Sequence, residues 1–512
     1  MNTNWSALQN GSDIRGIAGE GVAGETVNLT PDIAQTIAIA FVKWLSDKTG
    51  TQPEYLKIAV GRDSRISGPA LMTAFIEGLS KCGVTAIDCG IASTPAMYMS
   101  TVLEGMKYDG SAMLTASHLP FNRNGIKFFT NEGGLDKPDI KAILDTASTL
   151  SETPAKAGNT ESFDLISAYS DFLVEKIRKG VNHPSAYNTP LAGFRIVVDA
   201  GNGAGGFFAD KVLKPLGADT TGSQFLNPDG RFPNHVPNPE DETAMEFIQK
   251  AVVANKADLG IIFDTDVDRA AAVDHLGNNI NRNTLIALIG SIVLEEHPGS
   301  TIVTDSITSD GLADFIEKDL KGKHHRFKRG YKNVINEAIR LNNEGQESWL
   351  AIETSGHAAL KENFFLDDGA YLITKILIKA AQMRMDGGKT VLDITSKLRQ
   401  PAESKEFRIK ILDPDFKAVG NQVIKDLNDF VDLVMNWGWK PVPNNYEGIR
   451  VKVDSSAGDG WFLLRLSLHD PVIPLNIESN KAGGVKQIST VLDKFFEQYE
   501  NLDFTAISKF VQ

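Results

Sequence analysis

The chain has 512 residues, 42% of them apolar and 23% charged, an ordinary make-up for a folded protein and too long for one hydrophobic core, so three or four domains are expected. Lys and Arg number 52 against 65 Asp and Glu, a net charge of −13, which argues against general nucleic-acid binding because that needs a basic face. A local cluster of Arg and Lys can still bind a small anion.

One unit recurs along the chain. Ile58-Ala-Val-Gly-Arg-Asp-Ser is an apolar strand that ends in a polar turn; a helix over Ala70 to Lys81, a turn at Gly83 and a short strand follow. Ile196-Val-Val-Asp-Ala-Gly-Asn repeats the design, with a helix over Phe207 to Leu216, a turn at Gly217 and another strand. Ile302-Val-Thr-Asp-Ser repeats it more loosely before a helix over Leu312 to Leu320. Recurrence at roughly a hundred residues predicts related α/β domains, not a short-repeat solenoid. Apolar strands alternating with helices favour mixed or parallel sheets, with function at the loops after the strand ends. Ser151 to Glu161 and the stretch around Gln400-Pro401-Ala402 read as linkers. Beyond Lys405, strands at Phe407 to Ile411, Gly448 to Val453 and Trp461 to Leu466 around one or two helices predict a separate α+β domain. The expected division is therefore 1–160, 161–285, 286–403 and 404–512.

Neither Cys82 nor Cys89 stands in a metal-ligand spacing, and two cysteines make no disulfide framework, which suits a reducing compartment. The polar N-terminus lacks the apolar core of a signal peptide, and Leu285 to Leu294 is too short to span a bilayer. A cytoplasmic protein without a membrane partner is expected.

Four loops carry residues suited to chemistry. Thr115-Ala-Ser-His-Leu-Pro-Phe-Asn-Arg-Asn-Gly-Ile-Lys127 follows the apolar run Ser111 to Leu114. Ser117 at a strand end is a candidate nucleophile, His118 or Lys127 a proton carrier, and Lys127 also a phosphate counter-charge; a plain polar turn is the alternative. Asp264-Thr-Asp-Val-Asp-Arg269 follows the strand Leu259 to Phe263 and sets three carboxylates at alternate positions. If extended, they point one way and form an all-oxygen set for a hard cation such as Mg²⁺ or Ca²⁺. The loop is shorter than a calcium-binding EF-hand and lacks its Gly and terminal Glu, and a solvated acidic turn is the alternative. Ile352-Glu-Thr-Ser-Gly-His357 alternates Glu353, Ser355 and His357, groups that suit sugar hydroxyls or a phosphate. Arg465-Leu-Ser-Leu-His-Asp-Pro471 offers Arg465, Ser467 and His469 to a phosphate, with Arg450 a further candidate; a surface strand end is the alternative. Arg15, Arg62, Arg65 and the Arg329-Gly-Tyr-Lys332 turn add positive charge beside other glycine turns, although Arg62 and Arg65 also stand where they can simply pair with Asp63.

Together these loops resemble the α-D-phosphohexomutase superfamily, which includes phosphoglucomutases, phosphomannomutases and phosphoglucosamine mutases. The resemblance runs from about Ser12 to Glu478, carried by Thr-Ala-Ser-His with Asn124-Gly125-x-Lys127, by Asp-x-Asp-x-Asp-Arg and by Glu-x-Ser-Gly-His. It implies four domains around a central cleft: three related α/β domains with mixed sheets and a C-terminal α+β domain. It also implies a phosphorylated Ser117 and Mg²⁺ held by Asp264, Asp266, Asp268 and a phosphate oxygen on Ser117. Arg15, His118, Lys127 and Arg269 would assist transfer, while Lys332, Glu353, Ser355 and His357 would contact the sugar. Arg465, Ser467 and His469 would bind the phosphate that does not react. The implied activity moves a phosphoryl group between C1 and C6 of glucose or mannose phosphate through a hexose 1,6-bisphosphate, so hexose phosphates and bisphosphates are the expected partners.

The match departs in two loops. Leu119 stands where many members have Asn, and the usual Arg-Pro-Ser-small-Thr-Glu-Pro becomes Arg-Leu-Ser-Leu-His-Asp-Pro, with a bulky Leu468 and an imidazole at His469. Altered phosphate contacts bring in a second expectation, a glucose-1,6-bisphosphate synthase that releases the bisphosphate and is recharged by a sugar bisphosphate. A non-catalytic sugar-phosphate binder is the third, opposed by the presence of Ser117, Lys127 and all three aspartates. The phosphoglucosamine form, Gly-Glu-Gln-Ser-Gly-His, is absent.

Overall fold

The computed structural model describes residues 3–151, 154–388, 390–467 and 470–512. It divides into two compact units, Met1–Ile292 with Ser355–Ile394, and Val293–Thr354 with Thr395–Gln512.

The first unit opens with a mixed sheet. Lys57–Arg62 lies parallel to both Thr85–Ile91 and Gly110–Leu114, which pairs antiparallel with Arg123–Thr130, itself antiparallel to Asp13–Ile17. Helices Pro31–Thr49 and Gly68–Lys81 follow from local signals: Thr30 caps the first, Pro31 opens it and Gly50 closes it at φ 69°, where glycine carries no steric cost. Ile37, Phe41, Leu45, Leu71 and Phe75 pack with Ile58, Val60 and Phe128 into one core. The stretch read as a linker from Ser151 is partly sheet: Thr160–Ser162 extends the edge in parallel with Thr85–Ile91. Gly158 N donates to the Ser80 carbonyl and Ala86 N to that of Asn159, so the backbone there is paired and not a free tether.

The second sheet of this unit sets Ile196–Asp199 parallel to Leu259–Phe263, which pairs antiparallel with Ala270–Asp274. The expected helix after Ile196 is π-helical over Phe208–Leu213 and then 3₁₀ over Lys214–Leu216. The strand expected after Gly217 is reduced to isolated bridges, Asp219 with Arg195 and Gln224 with Asp199. Thr-Thr-Gly at 220–222 turns the chain before a ladder can form. The apolar stretch Leu285 to Leu294 lies in a buried helix, Arg282–Glu296.

In the second unit, Thr301–Asp305 lies parallel to both Lys323–Phe327 and Ser348–Ile352. Helix Tyr331–Asn343 lies between the last two strands in the chain. The segment after Leu312 is again π-helical, over Phe315–Asp319. A six-stranded antiparallel sheet follows, running in space from Trp439–Pro441 through Ile449–Val453, Gly460–Leu464, Val472–Ser479 and Glu403–Ile411 to Leu502–Asp503. Three helices accompany it, Phe416–Leu433, Gly484–Phe496 and Thr505–Val511, one more than expected. Three α/β regions and a fourth, antiparallel one are thus the architecture the sequence predicts. No helix among the described residues is long and apolar enough to cross a membrane.

Candidate active site

Ser117 stands just beyond the fully buried strand Gly110–Leu114, in the left-handed region at φ 49°. That conformation is unfavourable for a side chain with a Cβ and needs support from its surroundings. Thr115 Oγ1 supplies part of it, accepting from Ser117 N at 2.9 Å while donating to Asp63 Oδ2 at 2.8 Å. Arg15 Nη1 donates to the Thr115 carbonyl at 2.5 Å and Nη2 pairs with Asp13 at 2.8 Å, so Arg15 grips the serine loop by its backbone. Arg65 pairs with Asp63, as the sequence allows, and also donates to four carbonyls of the loop. Arg62 does not pair with the Asp63 carboxylate; its Nη1 donates to the Asp63 carbonyl at 3.0 Å.

The carboxylates of Asp264, Asp266 and Asp268 converge, with one oxygen from each within 4.8 Å of the others. They do so by a different geometry from the extended alternation expected. Residues 265 to 268 form a turn in which Val267 takes φ 69°, and the turn gathers the side chains. Ser117 Oγ donates to Asp264 Oδ2 at 3.0 Å. Lys127 Nζ is paired with Asp268 and lies 3.4 Å from Asp266. Thr94 Oγ1 donates to Asp266 Oδ2 at 2.5 Å. Arg269 Nε contacts Asp264 at 3.3 Å, its Nη1 reaches Asn238 Oδ1 at 3.1 Å, and its Nη2 lies 2.6 Å from His118 Nδ1.

Three buried carboxylates thus crowd together, with Lys127 and Arg269 as their paired cations, and the repulsion is visible. Burial, then repulsion from Asp268 and Asp266, pushes Asp264 well above the usual carboxylate range, whereas Lys127 overcomes burial to hold Asp268 below it. Asp266 Oδ1 and Asp268 Oδ1 are buried with no hydrogen-bond partner. Unpartnered carboxylate oxygens in a crowded, all-oxygen cluster fit a hard divalent cation. Burial, reinforced by Arg269, pushes His118 down to about 3, so its imidazole is neutral and Nδ1 accepts from Arg269. Its Nδ1 lies 3.3 Å from Ser117 Oγ.

The alternation expected for Glu353, Ser355 and His357 is broken by a turn with Gly356 at φ 92°. In the first unit, Ser355 is buried and His357 Nδ1 is bonded to Asp367. Burial alone would lower the imidazole, but Asp367 and Asp268 raise it to about 9, so His357 is a cation beside the carboxylate cluster. In the second unit, Glu353 Oε1 accepts from Gly330 N at 2.6 Å, at the head of the helix that carries half-buried Lys332.

Also in the second unit, Arg465 continues the line of Gly460–Leu464, its backbone N donating to the Pro474 carbonyl at 3.1 Å. Arg465 Nε is buried without a hydrogen-bond partner, and burial lowers the guanidinium's pKa despite Glu447. Ser467 N donates to the Val472 carbonyl at 3.0 Å, just beyond the end of strand Gly460–Leu464. Leu468 and His469 lie outside the described residues. Arg450 is no part of this group. It turns inward, donating to the carbonyls of Ser306 at 2.8 Å and Thr308 at 3.1 Å, pairing with Asp310 and stacking on Trp461.

Several members of these clusters escape a reading of local motifs. Asp63, Thr94, Asn238 and Glu447, which accepts from Arg329 N at 2.9 Å and from Ser306 Oγ, are far in sequence from these partners, and Asp367 lies outside the motif of His357. A polar residue just past a strand end is the signal for Asp63, and the sequence offers it only as an ion-pair partner of Arg62 or Arg65.

A serine loop and a carboxylate loop on successive α/β domains, followed by an antiparallel sheet domain, define a multidomain α/β enzyme. Family models for phosphoglucomutase/phosphomannomutase α/β/α domains I, II and III match residues 7–153, 168–277 and 281–400. A phosphoglucomutase of Neisseria gonorrhoeae is 30% identical over 96% of each chain, and a phosphomannomutase/phosphoglucomutase of Pseudomonas putida 29% identical over 94% of this chain and 93% of its own. The crystal structure of a phosphoglucomutase/phosphomannomutase family protein from Burkholderia thailandensis superposes with a TM-score of 0.76 at 26% identity, covering 97% of this chain and 98% of its own. The chain belongs to the phosphoglucomutase/phosphomannomutase family, within the α-D-phosphohexomutase superfamily of enzymes.

Proposed function

We propose that the protein is a Mg²⁺-dependent phosphohexomutase that exchanges a phosphoryl group between C1 and C6 of glucose or mannose phosphate through phospho-Ser117 and a hexose 1,6-bisphosphate. The observation that carries this reading is Ser117 Oγ at 3.0 Å from Asp264, in a cluster where Asp266 and Asp268 each keep an unpartnered buried oxygen. Asp264, Asp266 and Asp268, with an oxygen of the Ser117 phosphate, would hold the cation. Mg²⁺ there would supply charge that offsets the phosphoryl oxygens.

The chain's own residues do the rest. Phosphoryl transfer demands positioning and neutralised oxyanions more than covalent activation. Arg269, fixed by Asp264 and Asn238, directs its Nη2 to the Ser117 side chain, and Lys127 stands as a second cation beside the carboxylates. Neutral His118 orients Arg269 by accepting from it. Arg15 holds the loop, and His357, cationic against Asp367, adds positive charge. Glu353, Ser355, His357 and Lys332 are proposed to contact the sugar, and Arg465, Ser467 and His469 the phosphate that stays in place. The proposed domains are 1–160, 161–285, 286–403 and 404–512. The two cysteines are buried and free, which suits the cytoplasm.

Leu468 and His469 support a second reading, in which the bisphosphate escapes and the protein acts as a glucose-1,6-bisphosphate synthase. Phosphorus NMR of the protein with Mg²⁺, glucose 1-phosphate and a sugar bisphosphate tests both. Accumulation of glucose 6-phosphate is the expected outcome. Accumulation of glucose 1,6-bisphosphate would transfer the conclusion to the synthase, and neither product from glucose 1-phosphate, with no mannose 6-phosphate from mannose 1-phosphate in a parallel run, would overturn both.

A further inference from the structure

Arg65 is wholly buried, and so is its partner Asp63. A guanidinium has five N–H donors, and here each has an acceptor. Nε pairs with Asp63 Oδ2 at 3.2 Å; Nη1 donates to the carbonyls of Pro120 at 2.7 Å and Arg123 at 3.0 Å. Nη2 donates to the carbonyl of Leu119 at 2.7 Å and to that of Ser117 itself. Four of the five acceptors belong to the loop that carries the serine, and the fifth, Asp63 Oδ2, also accepts from Thr115 Oγ1, which in turn receives Ser117 N. Both backbone polar groups of Ser117 are therefore tied to the Asp63–Arg65 pair, the carbonyl directly and the N–H through Thr115. These ties act on a residue held at φ 49°, which a free loop would abandon.

The pair is braced from a distant part of the chain. The Phe232 ring lies 5.3 Å from the Arg65 guanidinium carbon. Gly230 meets the Arg65 turn so closely that a Cβ would stand 2.5 Å from Ile66 N and Ser64 O and 2.6 Å from Arg65 Cα, all backbone atoms that cannot swing aside.

We infer that Arg65 is a positioning residue for Ser117: its saturated guanidinium, braced by the Gly230–Phe232 turn, fixes the strained backbone that aims Oγ at the carboxylate cluster. The inference rests on the proposed role of Ser117 as phosphoryl carrier. In that step a sugar O–P bond breaks and a P–Oγ bond forms, and the Ser117 hydroxyl proton ends on the released sugar oxygen. Arg65 touches none of these atoms. It acts through the loop backbone, so it should govern the rate of transfer and leave substrate affinity and the cation site unchanged. Lysine retains the charge opposite Asp63 but has three donors on one atom and cannot reach acceptors spread around the edge of a planar fork.

The test is single-turnover phosphorylation of the full chain by glucose 1,6-bisphosphate with Mg²⁺, followed by intact mass. Arg65→Lys should lower the rate about 10²-fold, the scale of an ångström's misplacement, with KM within about threefold of the parent and the Mg²⁺-induced rise in Tm retained. Gly230→Ala, which keeps Arg65 and all its acceptors, should lower the rate in the same sense by roughly tenfold, and it serves as the test if Arg65→Lys does not fold. Arg62→Gln, at the end of the preceding strand, should match the parent. Parental rates in both Arg65→Lys and Gly230→Ala, or a loss in either that appears in KM or in the Mg²⁺ response, would overturn the inference. A parent that takes up no phosphate on Ser117 would instead overturn the proposed function on which it rests.

Discussion

The carboxylate cluster of the first unit and the Arg465 strand of the second are finished to opposite degrees, in opposite sign. Around Asp264 to Arg269, the cations Lys127 and Arg269 are engaged, and the loose ends are acidic: Asp266 Oδ1 and Asp268 Oδ1. Around Arg465, the acids are engaged by backbone donors, Glu353 by Gly330 N and Glu447 by Arg329 N, and the loose end is basic, Arg465 Nε. The unpaired atoms are acidic oxygens in one region and a basic nitrogen in the other. Buried polar groups without partners are costly, and each region keeps them where a metal ion or a phosphate would complete it. The proposed metal and phosphate sites would use these unpaired atoms.

That contrast can be broken in graded steps. Ser117→Ala should abolish turnover by at least about 10³-fold, as removal of a covalent nucleophile does; a coupled assay of glucose 6-phosphate formation reads it, and unchanged activity would sink the phosphoserine mechanism. Chelation with EDTA, or Asp266→Asn, should lower activity by roughly 10²-fold or more, comparable to loss of other charge-stabilising groups. Mg²⁺ should raise the Tm of the parent, by linkage to the folded state, and of Asp266→Asn much less. A parent whose Tm ignores divalent cations would remove the reason given for the unpartnered oxygens. Arg465→Ala should act on the other side of the contrast, raising KM for glucose 1-phosphate about tenfold, the scale of one charge-assisted hydrogen bond. It should leave the Mg²⁺ response alone; a change in both would mean that the two regions are not separate.

The smallest expected effect lies in the interior of the second unit. Burial raises Glu478 to about 7 from 4.5, against the pull of Arg450 and the Trp461 Nε1–H bond at 2.9 Å. Between those pH values the folded chain keeps a proton that the unfolded chain has shed. This group's contribution to stability is therefore fullest below pH 4.5, falls as pH rises and is flat above about 7. Glu478→Gln should flatten that part of the profile in urea denaturation at pH 5 and pH 8; an unchanged slope would show that Glu478 ionises freely in the fold.

Much of this is legible in the sequence because it is local. Thr115 to His118 and Asp264 to Arg269 are contiguous, follow apolar strands, and need only a strand end to place them. The reason for convergence was legible only in part. Alternation along an extended chain predicts the right three carboxylates, but Val267 at φ 69° makes the segment a turn, and a β-branched residue gives no warning of that conformation. The same limit applies to Glu353, Ser355 and His357, whose spacing hides the turn at Gly356. What the sequence conceals most is partnership at a distance. Asp63 and Thr115 are 52 positions apart, Thr94 and Asp266 172 apart, and no periodicity connects them. Arg450 is a further case: its partners Ser306, Thr308 and Asp310 lie 144, 142 and 140 positions away.

Thr94 meets Asp266 twice, its hydroxyl on the carboxylate at 2.5 Å and its backbone N on the Asp266 carbonyl at 2.8 Å. Thr94 lies in the stretch matched by the domain I model and Asp266 in that matched by domain II, so the serine segment and the carboxylate segment share a seam. Recombination between relatives should respect that seam. A chimera that takes the stretch matched by the domain I model from one parent and that matched by domain II from another inherits half of each contact, whereas a cut just before helix Arg282–Glu296 moves both halves as one heritable piece.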